Sequence, residues 1–263
     1  MPSLNFTSEN GRPIAFIKTA NKEFDKSIIY LHEENQGPQE INIPEFTYFP
    51  LLGKVKDEVQ NHRIAVIGKS GSGKSYFVGQ MLDVMKSKKL GDKEREIVIY
   101  SGVLEDPPLD KPRGKKGQKE PPMRINLDSS SELSLDINDL ENCIVVFDDI
   151  EKLASKEANQ RVLELRDILL EKGRHHNIDI ISISHNPFGG KTTRMVHTES
   201  SGIVLFPSKS THKHIADYLS KYIGFSRDNI QKIKDLGEHS RWVYISNTAP
   251  TYVVHEHGVL LMK

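Results

Sequence analysis

The sequence predicts an α/β fold: a mostly parallel central sheet, helices on both faces, and antiparallel strands at the C-terminal edge. Three observations predict it. Residues 64–67, 97–99 and 143–147 are short apolar runs without alternation, the pattern of strands buried on both faces, and 180–183 reads as another strand. Helical spacing lies between them, with Phe77, Met81, Leu82 and Met85 in one segment and Ala158, Val162, Leu165 and Leu169 in another. Late in the chain, 241–246 and 252–255 read as strands joined by the short turn 247–250, so they should run antiparallel.

Composition narrows the class. The chain has 263 residues, enough for a sizeable core in one large domain or two small ones. Its 36 basic and 36 acidic side chains cancel, so any attraction to nucleic acid must come from local patches. The single cysteine, Cys143, excludes an internal disulfide and reads as core packing. No basic-then-apolar signal pattern opens the chain, and no apolar run approaches a membrane span. A soluble globular protein is expected.

Taken in order, residues 1–58 form a small β-rich extension and 59–263 the main domain. Runs at 14–17 and 28–31 predict two strands, and 41–52 predicts one more strand or an irregular arm. Residues 64–67 then lead into Gly68-Lys69-Ser70-Gly71-Ser72-Gly73-Lys74-Ser75, which satisfies G-x-x-x-x-G-K-[S/T] at every fixed position, and helical spacing starts at Tyr76. Strand, glycine loop and helix make this a phosphate site. The glycines let backbone N–H groups point inward at phosphate oxygens, and the helix adds its positive dipole end. Lys74 is expected on the β- and γ-phosphates of ATP and Ser75 on Mg²⁺.

Residues 101–122 carry Pro107-Pro108, Pro112, Gly114, Gly117 and Pro121-Pro122 and read as a loop. Between 107 and 122, Lys111, Arg113, Lys115, Lys116 and Lys119 oppose only Asp110 and Glu120, so the loop suits DNA phosphates or is a solvated surface. The run 143–147 ends in Asp148-Asp149, two acids at the strand end where open α/β sheets bind ligands. Asp148 is expected to hold Mg²⁺ opposite Ser75. Asp149, with Glu151 as competitor, is expected to orient or deprotonate the attacking water. Residues 155–172 predict an amphipathic helix stopped by Gly173. The next strand ends in His185-Asn186, where a γ-phosphate sensor or a structural histidine would sit. His175-His176 lacks ligand-like spacing to other candidates, so no metal site is read there. Residues 187–200 form another loop, carrying Arg194. A strand at 203–206, helices at 209–222 and 227–236, the strand pair, and a final strand at 259–262 complete the chain.

With these motifs placed, the chain from about residue 60 resembles the RecA-like P-loop ATPases of the FtsK-HerA type, and among them the poxvirus-type genome-packaging ATPases of large double-stranded DNA viruses. Four stretches carry the resemblance: the glycine loop with its strand; Ile99-Tyr100-Ser101-Gly102 with Leu104-Glu105-Asp106-Pro107; Phe147-Asp148-Asp149-Ile150-Glu151; and Gly173-Arg174-His175-His176-Asn177 running to Ser184-His185-Asn186. It implies a homo-oligomeric ring, hexamer or pentamer, that threads duplex DNA while hydrolysing ATP. It also implies an arginine supplied in trans, with Arg174 first, Arg194 second, and Arg161 and Arg166 behind them. A capsid or portal/vertex protein would be a partner, and the location would be the virion or the host-cell cytoplasm. Two features depart from the pattern: Asp149 where many relatives carry Glu, and His185-Asn186 where many carry Gln. Alternatives are a replication or conjugation motor, a helicase loader, a nucleotide-dependent switch, and a small-molecule kinase.

Overall fold

The computed structural model of the chain describes residues 1–34, 36–51, 61–86, 95–115, 118–127, 136–151, 153–185, 191–209 and 212–262. The chain divides into two compact units, Gly53–Ser201 and a second made of Met1–Leu52 with Gly202–Lys263. Sequence reasoning put the break near residue 58 and kept the C-terminal strands with the main domain; here they group with the N-terminal strands.

The chain opens in that second unit. Strands β1 (Ser3–Asn5), β2 (Arg12–Lys18), β3 (Ile28–His32) and β5 (Thr47–Pro50) form an antiparallel sheet in the order β1-β3-β2-β5, while the two-residue β4 (Glu40–Ile41) lies apart from it. The two strands expected at 14–17 and 28–31 are present as β2 and β3, paired antiparallel.

The unit Gly53–Ser201 carries the parallel sheet. Its strands are β6 (Arg63–Ile67), β7 (Ile97–Ser101), β10 (Met123–Asn126), β11 (Ile144–Asp148) and β12 (Asp179–Ser184), ordered β10-β7-β11-β12-β6 and all parallel. β7, β11 and β12 are buried along their whole length, which is why apolar residues dominate their sequences. Helix α1 (Lys74–Met85) packs on α2 (Pro107–Asp110), and α3 (Lys156–Lys172) on α4 (Lys191–Glu199). Ser155 caps α3 by accepting from Ala158 N–H at 3.2 Å. Gly173 ends that helix as expected, in a right-handed conformation with φ −55°. A 3₁₀ turn over Gly173–His176 follows, and the left-handed residue is Asn177, φ 56°.

Residues 101–122 are not the loop that their prolines and glycines suggest. They hold α2, capped by Asp106, and an antiparallel pair of short strands, β8 (Arg113–Lys115) and β9 (Gln118–Glu120).

Opposite the strand ends that carry the site, a buried ion pair fixes the sheet's N-terminal edge. Arg95 and Asp179 are 5% and 1% exposed and bonded to each other. Arg95 also donates to the carbonyls of Cys143 (2.8 Å) and Asn177 (2.6 Å), and Asp179 Oδ1 accepts from His62 N–H at 2.7 Å. Removing one partner strands the other charge in the core, so Asp179→Ala is expected to cost about 3–5 kcal/mol in urea unfolding. A loss under about 1 kcal/mol would show that water reaches Arg95.

The chain returns to the second unit with β13 (Gly202–Leu205), α5 (His212–Tyr218), α6 (Arg227–His239), β14 (Val243–Ser246), β15 (Tyr252–His255) and β16 (Gly258–Leu261). These strands pair antiparallel in series, and for β14 and β15 this is the pairing expected from their short turn. β16 then takes β4 as its neighbour, Val259 opposite Ile41. Tyr48 N–H donates to Glu256 O at 3.0 Å, and the Phe49 and Trp242 rings meet edge to face at 5.5 Å. These contacts are why the two chain ends share one unit. Among the described residues, no helix is long and apolar enough to cross a membrane.

Candidate active site

The glycine loop leaves β6 at Ile67 and is tied to the neighbouring strand end by Gly68 N–H donating to Ser184 O at 3.1 Å. Gly71 and Gly73 have φ of 71° and 99°, the left-handed region that a side chain disfavours. Among the described residues no side chain caps α1, and its first turn holds no acid, so its leading N–H groups face outward with a positive dipole end. Lys74 is the first residue of α1 and is 6% exposed. Its Nζ donates to Gly68 O (2.8 Å) and Lys69 O (3.0 Å) and lies 3.1 Å from His185 Nδ1. Burial pulls its pKa down, and the charges of Asp149, Asp148 and Glu151 push it back up.

The acids come from β11. Asp148 is 3% exposed and sits opposite Ser101 of β7, whose Oγ donates to Oδ2 at 3.1 Å. Burial, then the charge of Asp149, raises the Asp148 pKa to about 6, against the Ser101 hydrogen bond. Asp149 has left β11 with φ 50°, a left-handed conformation that Asp tolerates better than most residues. Its Oδ1 lies 2.6 Å from His185 Nε2. Glu151 is half-buried and accepts from Ser184 Oγ, one residue before His185.

These residues fit a nucleoside triphosphate and a divalent cation. Ser72 Oγ is buried with no hydrogen-bond partner among the described residues, a polar atom suited to a phosphate oxygen. Asp148 is a buried carboxylate with no cationic side chain bonded to it among the described residues, and a cation would offset its charge. Ser75, half-buried beside Lys74, would share that cation with Asp148, while Lys69 and Ser70 are exposed on the loop. Tyr76 is 61% exposed on the first turn of α1.

The remaining expected residues scatter. Arg174 is exposed on the turn before β12, at the opposite end of that strand from His185, about 17 Å of strand rise away. It cannot serve the site of its own chain. Arg194 is exposed in the first turns of α4. Arg161 is exposed and paired with Glu157, whereas Arg166 is 1% exposed and bonded to Asp167, so Arg166 drops out as a trans arginine. Arg113 likewise leaves the expected basic surface. It is 3% exposed, and its guanidinium donates to Asp83 Oδ1 and to the carbonyls of Leu109, Lys111, Gly79 and Pro108. All five donors are spent on holding α2 and β8 against α1. Lys111 pairs with Asp83 at 3.0 Å, and Lys119 is exposed on β9. Asn186, Lys116 and the side chain of Lys115 lie outside the described residues.

Sequence reasoning assigned no role to Ser101 and Ser184. Each is a polar residue closing an apolar strand beside the acids, and that position was the available signal.

A glycine loop between strand and helix, an acid-ended strand one place removed across the sheet, and a parallel sheet with helical layers define the P-loop NTPase fold, the RecA-like α/β class that the sequence predicts. No protein-family model matches the chain. It is 29% identical over 268 residues to the uncharacterized protein V3 of Sputnik virophage, covering 97% of this chain and 98% of that one. Among solved structures it is similar to the pCW3 conjugation coupling protein TcpA, monomer form with ATPγS: 15% identity, TM-score 0.50, 95% of this chain and 77% of that one. It is also similar to the genome packaging NTPase B204 of Sulfolobus turreted icosahedral virus 2, in complex with AMPPCP: 13% identity, TM-score 0.44, 78% of this chain and 98% of that one. At 15% identity the likeness to TcpA speaks for the fold alone.

Proposed function

We propose that this chain is an ATP-hydrolysing, DNA-translocating motor that packages a viral double-stranded DNA genome into a capsid. The observation that carries the ATPase reading is the convergence of Lys74, His185 and Asp149 in one hydrogen-bonded group beside Asp148. Lys74 binds the β- and γ-phosphates, helped by the loop N–H groups and Ser72. Ser75 and Asp148 hold Mg²⁺, which supplies charge neutralisation on the phosphates when bound. Asp149 orients the attacking water and takes its proton on a carboxylate oxygen, with Glu151 as the second candidate.

The motor reading rests on the four stretches that resemble the packaging ATPases, and the viral relative favours it. In a ring of five or six copies, Arg174 or Arg194 of a neighbouring copy completes the site. Lys111, Lys115, Lys116 and Lys119 of the β8–β9 region contact DNA phosphates, without Arg113. A capsid or portal protein anchors the ring in the virion or in the host-cell cytoplasm.

The test is steady-state phosphate release with no nucleic acid, with single-stranded DNA and with duplex DNA, alongside the mass of the assembly in solution. Duplex is expected to stimulate most, in an oligomer. A DNA-independent rate in a strictly monomeric protein overturns the motor, and a preference for single strands or strand separation moves the chain to a replication or conjugation role. Phosphate transfer to a small molecule rather than to water makes it a kinase.

A further inference from the structure

One imidazole joins the lysine of the phosphate loop to the acid that faces water. An ammonium group has only hydrogens to give, so His185 Nδ1, 3.1 Å from Lys74 Nζ, must be the acceptor. The ring proton then lies on Nε2 and is donated to Asp149 Oδ1, 2.6 Å away. The other two hydrogens of Lys74 go to Gly68 O and Lys69 O. All three donors are committed, so Lys74 can reach a phosphate oxygen only by giving one of them up. The two carbonyls belong to the loop backbone, whereas His185 is a side chain 41% exposed at the end of β12. The imidazole contact is the one that can yield without moving the loop.

We propose that His185 is a positioning residue that reports phosphate engagement by Lys74 to Asp149. While Lys74 donates to Nδ1, the ring is anchored and holds Asp149 Oδ1 as a hydrogen-bond acceptor. When Lys74 turns that hydrogen to a γ-phosphate oxygen, the ring loses its anchor and the Asp149 carboxylate becomes free to accept from water. Glu151, held by Ser184 Oγ, has no part in this link and keeps its place. The inference rests on the nucleotide-binding part of the proposed function and not on DNA.

The experiment is ¹⁵N NMR of the histidine rings in the full chain, with His185 assigned by the signal lost in His185→Asn. The expected result in nucleotide-free protein is the Nε2–H tautomer. Lys74→Ala without nucleotide should shift the Nδ1 resonance, and AMPPCP with Mg²⁺ should shift it in the same direction in wild type. An Nδ1–H tautomer, or a resonance that ignores both changes, overturns the proposal. The kinetic counterpart is a split: His185→Ala should lower kcat about tenfold or more with KM for ATP not raised. Weakened ATP affinity with kcat retained would make His185 an ordinary phosphate contact and would also overturn it. Hydrolysis that ignores duplex DNA while the ring resonance responds would sink the motor and leave this link standing.

Discussion

Lys74→Ala is expected to lower ATP hydrolysis by about 10²–10³-fold, the scale of losing one donor aimed at developing charge. The reason lies in where the ammonium sits. It is 6% exposed, first in α1, ringed by Gly68 O, Lys69 O and His185, with three carboxylates close enough to hold its charge. No water-exposed lysine can substitute from that depth. Binding should weaken together with turnover, because the β-phosphate is held in the ground state as well. Lys74→Arg should rescue poorly, since a planar fork cannot occupy the space of a compact point charge between two carbonyls and an imidazole. Phosphate release and equilibrium binding of AMPPCP measure both effects. A Lys74→Ala protein that retains more than about a tenth of wild-type turnover would mean that the glycine loop is not the phosphate site.

The parts of this fold that the sequence displays are those whose physics is local. Residues 64–67 and 143–147 are apolar, and 180–183 apolar but for Ser182, because both faces of the parallel sheet are covered, and the loop between β6 and α1 needs glycine where φ is positive. The segment 101–127 was opaque for the opposite reason. Its elements are three or four residues long, and β10, Met-Arg-Ile-Asn, alternates for only four residues directly after Pro121-Pro122. What fixes it is Arg113, whose five donors reach Asp83 and Gly79 about thirty residues upstream and three carbonyls of its own neighbourhood. A charged residue in a proline-rich stretch looks like surface until those acceptors are known. Likewise, nothing in a two-residue strand such as β4 announces a partner at the far end of the chain. In the site, the acids and the lysine were legible from spacing. The His185 bridge was not, because it depends on β12 ending beside the loop and on Asp149 turning left-handed.

Asp148→Asn is expected to abolish hydrolysis and at the same time to stabilise the metal-free protein at neutral pH. Loss of activity follows from losing the buried carboxylate that would share a divalent cation with Ser75, and it should reach about 10² or more. The stability change follows from the pKa. Asp148 moves from the ordinary value of 3.8 to about 6 because burial and the neighbouring Asp149 charge disfavour its ionised form. Between about pH 4 and pH 6 the folded state therefore holds a proton that the unfolded state has released. Wild-type stability falls as pH rises through that window, and above it the full cost of the ionised group is present, about 3 kcal/mol at most. The amide of the variant carries no such charge, although it must find a partner near Ser101, so a net gain of about 1–3 kcal/mol is expected. Urea unfolding in EDTA at pH 4, 5, 6 and 7.5 isolates the effect, because every other titrating group is common to both proteins. The variant should lead at pH 7.5, and the difference should close toward pH 4. Adding Mg²⁺ with AMPPCP should reverse the order, since only the carboxylate can use the cation. Equal stabilities across the whole range would mean that Asp148 is already compensated without metal, and the assignment of the cation to Asp148 would lose its physical basis.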